Sequence, residues 1–269
     1  MSRGGSTFQF ADLAGRTLVV TGVTSGIGRA LLPGFLEQGL RLILVGQPME
    51  AMLQVRVDLG ADENRVRLFE CDLAESAQVR RLAQSLLAAG GPVHGLLHNA
   101  GIDPRAGFES AGMDFWHHVF EVNLFSAVAL TREWLPLLRR EGGGVIFTGS
   151  VMDPLGSACA TTYVASKAAL TGLTRSLAHE LQGEGINVNC ILPGAVQVEK
   201  ELRRGDPIQR DARLISLQSL TRRLQPCDLL GLVCLLLSGA GEAITGQCIT
   251  VDGGLMHPIS TPASQKENR

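Results

Sequence analysis

The chain has 269 residues, 45% hydrophobic and 19% charged, with a formal net charge of -2. That balance describes a folded globular chain, and it excludes disorder and a nucleic-acid partner held by charge. One hydrophobic core can serve this length, so a single domain over 1–269 is expected, with its core at about 14–256. No apolar run approaches the roughly 18 residues of a membrane span. The opening MSRGGSTFQF has no apolar signal core, so the reading is a cytoplasmic protein with no membrane partner. Six cysteines stand far apart with no C-x-x-C pair and read as reduced small hydrophobes, with no disulfide framework and no metal site.

In chain order, apolar strand patterns cover Arg16–Thr21, Arg41–Val45, Val66–Glu70, Gly95–His98, Gly144–Thr148, Ile186–Ile191 and Cys248–Val251. Helical spacing covers Ile27–Gln38, Glu75–Ala89, Phe115–Arg140, Thr161–Gln182 and Cys227–Leu237, with Gly39, Gly90 and Gly183 placed as stops. This alternation predicts an α/β fold: a Rossmann-type, doubly wound, mostly parallel sheet of seven strands with helices on both faces. Residues 199–221 break the rhythm. The segment is charged, comes after Pro193–Gly194 at a strand's end, and is read as a substrate lid, with a solvated surface helix as the plain alternative. Its cations Lys200, Arg203 and Arg204 would meet any acidic substituent of a substrate. The tail 258–269 is polar and expected to be loose.

Between the first strand and the first helix, TGVTSGIG places Gly22, Gly26 and Gly28 where a tight turn can bring backbone N–H groups against a pyrophosphate. The spacing departs from G-x-G-x-x-G, and tight packing alone would also use three glycines. Where a dinucleotide fold places a ribose-binding carboxylate, at the end of the second strand, this chain has Gly46 and Gln47. With neither a carboxylate nor a cation there, NAD is slightly favoured over NADP.

The chain has one tyrosine, Tyr163, four residues before Lys167 in a helical pattern, so both side chains share a face. A nearby ammonium would lower the phenol's pKa and make Tyr163 a general acid/base. Ser150 stands at the carboxyl end of the strand GGGVIFTG, where its hydroxyl could meet a substrate oxygen. A surface Tyr–Lys pair and a serine turn are the bland alternative.

TGVTSGIG, CDL at 71–73, HNAG at 98–101, Asn123, Ser150, YVASK at 163–167, PG at 193–194 and VDGG at 251–254 resemble, in order and spacing, the short-chain dehydrogenase/reductase family. The resemblance implies an oxidoreductase moving a hydride between a nicotinamide cofactor and an alcohol or carbonyl. Tyr163 is then the acid/base, Lys167 lowers its pKa and holds the nicotinamide ribose, Ser150 positions the reacting oxygen, and Asn123 completes a proton relay. By the same resemblance Gly22, Ser25, Gly26, Ile27 and Gly28 meet the cofactor's phosphates and ribose. Asp72 and Leu73 meet the adenine, Gln47 its ribose, Asn99, Ala100 and Gly101 the sugar region, and Pro193, Gly194 and Val196 the nicotinamide. Asp72 also reads as an N-cap of the following helix. Two positions depart from the family pattern. His98 replaces an asparagine, with packing as its main consequence, and Val198 replaces a threonine that would bond the carboxamide.

PGAVQVEKE, SLQSLTRRLQPCDLLGLVCLLLSG and GQCITVDGG resemble the sugar 1-dehydrogenase branch, although Val198 and Glu201 depart from it. This implies a small-molecule substrate, an aldose, acidic or sulfonated ones included, oxidised at C1 to a lactone. A reductase of 3-oxoacyl thioesters or small ketones shares the same catalytic set, and a non-catalytic nucleotide-binding protein is the alternative from another class. The family also implies a homotetramer built on 115–140 and 161–182.

Overall fold

Strands buried on both faces must be apolar almost throughout, and the first one, TLVVT, is buried at every position. The computed structural model describes residues 8–199 and 206–256. Its strands are β1 (Thr17–Thr21), β2 (Arg41–Gly46), β3 (Val66–Glu70), β4 (Gly95–His98), β5 (Gly143–Thr148), β6 (Ile186–Pro193) and β7 (Cys248–Val251). They form one sheet in the order β3-β2-β1-β4-β5-β6-β7, every pair parallel. The helices are α1 (Gly26–Glu37), α2 (Met49–Asp58), α3 (Ser76–Ala89), α4 (Met113–Phe120), α5 (Ser126–Glu141), α6 (Met152–Leu155), α7 (Thr161–Glu180), α8 (Pro207–Ser216) and α9 (Cys227–Leu237).

Two hydrophobic cores flank the sheet. One gathers Leu31, Phe35 and Val233 from α1 and α9. The other gathers Leu82, Leu130, Trp134 and Leu170 from α3, α5 and α7. Trp134 is fully buried, and its indole N–H donates to Ala83 O at 3.1 Å, which fixes α5 on α3. Truncating so large a side chain in a close-packed core costs about 3–5 kcal/mol.

All seven strands lie where the sequence places them, with β6 running on through Pro193. Three differences concern helices. α2 was not expected, because MEAMLQVRVD buries only Met52 and Val55 and carries no apolar stripe. The helix expected over 115–140 is divided by a π-turn, Glu121–Phe125, whose extra residue per turn changes the face presented at Asn123. Within the expected lid, α8 forms behind an Asp206 cap that accepts from Ile208 N at 2.9 Å. Lys200, Arg203, Arg204 and the tail 258–269 lie outside the described residues. Among the described residues no helix is long and apolar enough to cross a membrane.

Candidate active site

The strand order reverses between β1 and β4, so the loops leaving their carboxyl ends turn to opposite faces and open a crevice. A cavity of about 560 Å³ lies there. It runs from the ends of β2 and β3, past the turn after β1, to the ends of β5 and β6.

The turns after β1 and β4 are in backbone contact, and only glycine permits it. A Cβ at Gly22 would lie 2.6 Å from Ala100 Cα, and one at Gly28 would lie 2.3 Å from Gly22 O and 2.4 Å from Asn99 Nδ2. Asn99 completes the joint: its Nδ2 donates to Thr21 O and Gly22 O, and Thr21 Oγ1 accepts from the Asn99 and Ala100 amides. Gly28 therefore packs α1 onto the strand ends and does not line the cavity. Gly26 does line it. At φ +62°, with no atom within 4 Å of the position a Cβ would take, it leaves open space at the start of α1.

At the far end the walls are Gly46, Gln47, Asp72 and Leu73. Asp72 is not the helix cap expected from DLAE. Its carboxylate accepts from Ala74 N at 2.9 Å in a local turn, while Glu75 holds the N-cap position of α3.

At the near end, β5 delivers Ser150 and the first two turns of α7 deliver Tyr163 and Lys167. Ser150 Oγ accepts from Met152 N at 3.1 Å and is hydrogen-bonded to the Tyr163 phenol. Lys167 is 3% exposed; its Nζ donates to Thr148 O at 2.7 Å and sits 5.9 Å from the Tyr163 ring centroid. Burial holds Lys167 down at about 8. Burial also pushes the Tyr163 phenol above its ordinary value; the Ser150 bond opposes this, the Asp103 charge adds to it, and the Arg105 charge opposes it. The Lys167 ammonium is turned to the Thr148 carbonyl.

Asn123 is buried away from the cavity. Its Oδ1 accepts from Ile102 N at 2.8 Å, and its Nδ2 donates to Ile102 O at 3.0 Å and Ser166 Oγ at 2.9 Å. Both amide hydrogens are engaged, so the side chain ties the loop after β4 to α7.

Ser25, Ile27, Asn99, Ala100, Gly101, Pro193, Gly194 and Val196 all line the cavity as expected, and Val198 does so too. Sequence reasoning missed Thr24, Asp103, His118 and Val122, which also line it. Asp103 carried a usable signal, a carboxylate two residues beyond HNAG at a strand's carboxyl end; His118 and Val122 carried none. Beyond β6, buried Arg223 donates to Ala195 O at 3.1 Å and pairs with Asp211 of α8, stitching that helix to the segment after Pro193. His98 is buried and stacked on Phe147, outside the cavity, which agrees with a packing role.

A family model described as Enoyl-(Acyl carrier protein) reductase matches residues 22–256. The chain is 34% identical over 249 residues to a protein of Rhizobium meliloti named "Probable galactose dehydrogenase", covering 92% of this chain and 97% of the relative. It is 35% identical over 255 residues to the rhamnolipids biosynthesis 3-oxoacyl-[acyl-carrier-protein] reductase of Pseudomonas aeruginosa, covering 91% and 98%. The structure of L-sorbose reductase from Gluconobacter frateurii, complexed with NADPH and L-sorbose, superposes with a TM-score of 0.83 at 26% identity, covering 93% of this chain and 100% of that one.

Proposed function

Starting from the premise that the chain belongs to the short-chain dehydrogenase/reductase family and is an NAD(P)-dependent oxidoreductase acting on CH–OH groups, we propose that it oxidises an aldose at C1 to the lactone. The observation that carries the sugar is the 34% identity, spread over 92% of the chain, to a relative named for galactose oxidation. The family reading fits the cavity itself. Gly26 leaves unfilled space at the amino end of α1, where a helix N-terminus favours phosphate.

A bound dinucleotide would supply the acceptor for the sugar's hydride, or the donor of one to a carbonyl. Everything else falls to this chain. Tyr163 Oη removes the hydroxyl proton during oxidation and gives it back during reduction. Ser150 Oγ holds the same substrate oxygen, and its bond to Met152 N keeps that hydroxyl in place. Lys167, with three donors and one acceptor at Thr148 O, has donors left for a ribose hydroxyl. Asp72 and Leu73 border the adenine, and Pro193, Gly194 and Val196 border the nicotinamide. We further propose a slight preference for NAD, because Gly46 and Gln47 bring no charge to a 2′-phosphate. A homotetramer is proposed through α5 and α7. Phe125, beside α5, and Val128 on it leave apolar side chains partly exposed on that face.

A reductase of 3-oxoacyl thioesters is the second reading, favoured by the 35% identity to the rhamnolipid enzyme. The decisive assay follows nicotinamide absorbance with a panel of neutral, acidic and sulfonated aldoses and a 3-oxoacyl thioester, each against NAD and NADP. Aldose turnover well above thioester turnover supports the proposal. Thioester reduction with no aldose oxidation replaces it with the second reading.

A further inference from the structure

The wall of the cavity holds a carboxylate that the proton transfer does not use. Asp103 comes after the turn that ends β4 and lines the cavity together with Ser150, Tyr163 and Lys167. Its Oδ2 is fixed by Arg105 Nη2 at 2.7 Å, and Arg105 is anchored in turn by Ser157 Oγ at 3.1 Å. Oδ1 is buried and meets no donor. A carboxylate offers about four acceptor sites, and a buried oxygen without a donor is costly unless something supplies one. Its position is close enough to the reacting end that its charge is felt at both Tyr163 and Lys167.

We propose that Asp103 accepts a hydrogen bond from a substrate hydroxyl other than the one being oxidised, and so selects polyhydroxylated substrates. This rests on the aldose reading and deepens it. The chemistry of the two candidate substrates separates them here. A sugar carries a hydroxyl donor on each carbon beside its reacting centre. A 3-oxoacyl thioester presents only carbonyl acceptors there, and an acceptor facing an acceptor is repelled. An anionic substituent is a poor match as well, since the Arg105 charge is already met by Asp103. The terminal torsion of aspartate is broad and roughly two-fold, so the two oxygens can exchange roles, one held by Arg105 and the other by the ligand.

The test uses the purified enzyme with Asp103→Ala and Asp103→Asn, an aldose that it oxidises, the series of monodeoxy analogues with C1 intact, and a small ketone with no second hydroxyl reduced in the reverse direction. Cofactor affinity, measured by calorimetry, reports that each variant is folded. For the aldose, Asp103→Ala is expected to lower kcat/KM about 10- to 100-fold, mostly through KM, as for a lost charge-assisted bond. The loss on the small ketone is at least about tenfold smaller. One monodeoxy analogue shows the same loss with the wild-type enzyme and no further loss with the variant. Asp103→Asn keeps an acceptor oxygen and recovers part of the aldose activity. It also moves the ascending limb of the pH–rate profile to lower pH, since a negative charge that raises the Tyr163 pKa is gone. Equal losses on aldose and ketone, or a variant that lowers every deoxy analogue alike, overturn the role of Asp103 and leave the aldose reading standing. A wild-type enzyme that oxidises no aldose overturns both.

Discussion

The two ends of the cavity are built on different principles. At the reacting end Lys167 is 3% exposed and Ser150 7%, and each is held by hydrogen bonds to the backbone around β5. At the adenosine end the walls are Gly46, Gln47 and an Asp72 whose carboxylate serves its own turn. Where a proton must move, ionisable groups are buried so that their charge states become sensitive to one another. Where a ligand has only to be held, backbone and neutral groups suffice, and discrimination between similar ligands is weak.

The sharpest break of this contrast is at the reacting end. Tyr163→Phe removes only the phenol oxygen, so turnover should fall by about 10² to 10⁴ while cofactor affinity stays near its wild-type value. Stopped-flow rates with calorimetric cofactor titration check this, and a variant retaining more than about a tenth of the wild-type rate removes Tyr163 from its role. The pH dependence is set by the same residue. Oxidation needs the phenolate, and burial raises the phenol's pKa, so oxidation should climb as pH rises above neutrality. Reduction needs the neutral phenol and should hold at neutral pH and fall on the alkaline side. Initial rates in both directions from about pH 6 to about pH 10 decide it, and parallel profiles would contradict the assignment.

At the adenosine end the expected changes are smaller and concern selectivity. Gly46→Asp should repel a 2′-phosphate and shift preference toward NAD, and Gln47→Arg should shift it toward NADP, each by roughly 10- to 100-fold in the ratio of Kd values. A Cβ at Gly46 would lie 3.2 Å from Met52 Sδ, so the aspartate also requires that thioether to give way. The Gln47 variant is the cleaner of the two, and an unchanged Kd ratio in it would place the ribose elsewhere.

The sheet was legible because its strands are buried on both faces and read as short apolar runs between glycines. Ser150, Tyr163 and Lys167 were legible because scarcity marked them, one tyrosine beside an isolated lysine. The adenosine end was legible only as a lack of charge. The setting of Asn123 was not legible because it lies in the π-turn at Glu121–Phe125, and one extra residue in a helical turn leaves no periodic trace. Asp72 was misread as a helix cap because DLAE fits a capping sequence, yet the chain spends that carboxylate on Ala74 N. The Asp103–Arg105 pair was missed because two charges in an irregular loop look like a solvated surface until the fold sets Arg105 against Ser157 and Met152.

The smallest expected effect lies behind the reacting end, at His98, where a titratable group is buried without taking part in the chemistry. Its Nε2 is 2.9 Å from Thr131 Oγ1 and its ring stacks on Phe147 at 5.3 Å. Burial holds its pKa down to about 3, against an ordinary 6.5, so the folded protein keeps the ring neutral while the unfolded chain protonates it. Above pH 6.5 both states are neutral and stability does not depend on this group. As pH falls from 6.5 toward 3 the unfolded state gains a proton that the folded state refuses, and stability is lost. One unit below 6.5 the loss should be roughly 1.4 kcal/mol. His94 is shifted in the same direction by its own burial, but it is present in both proteins when wild type is compared with His98→Asn. The asparagine cannot titrate. Urea unfolding at about pH 7 and about pH 5.5 should therefore show a wild-type loss that exceeds the variant's by about 1.3 kcal/mol. Equal losses would mean that His98 is protonated in the folded state, which its stacking on Phe147 and its complete burial do not allow for.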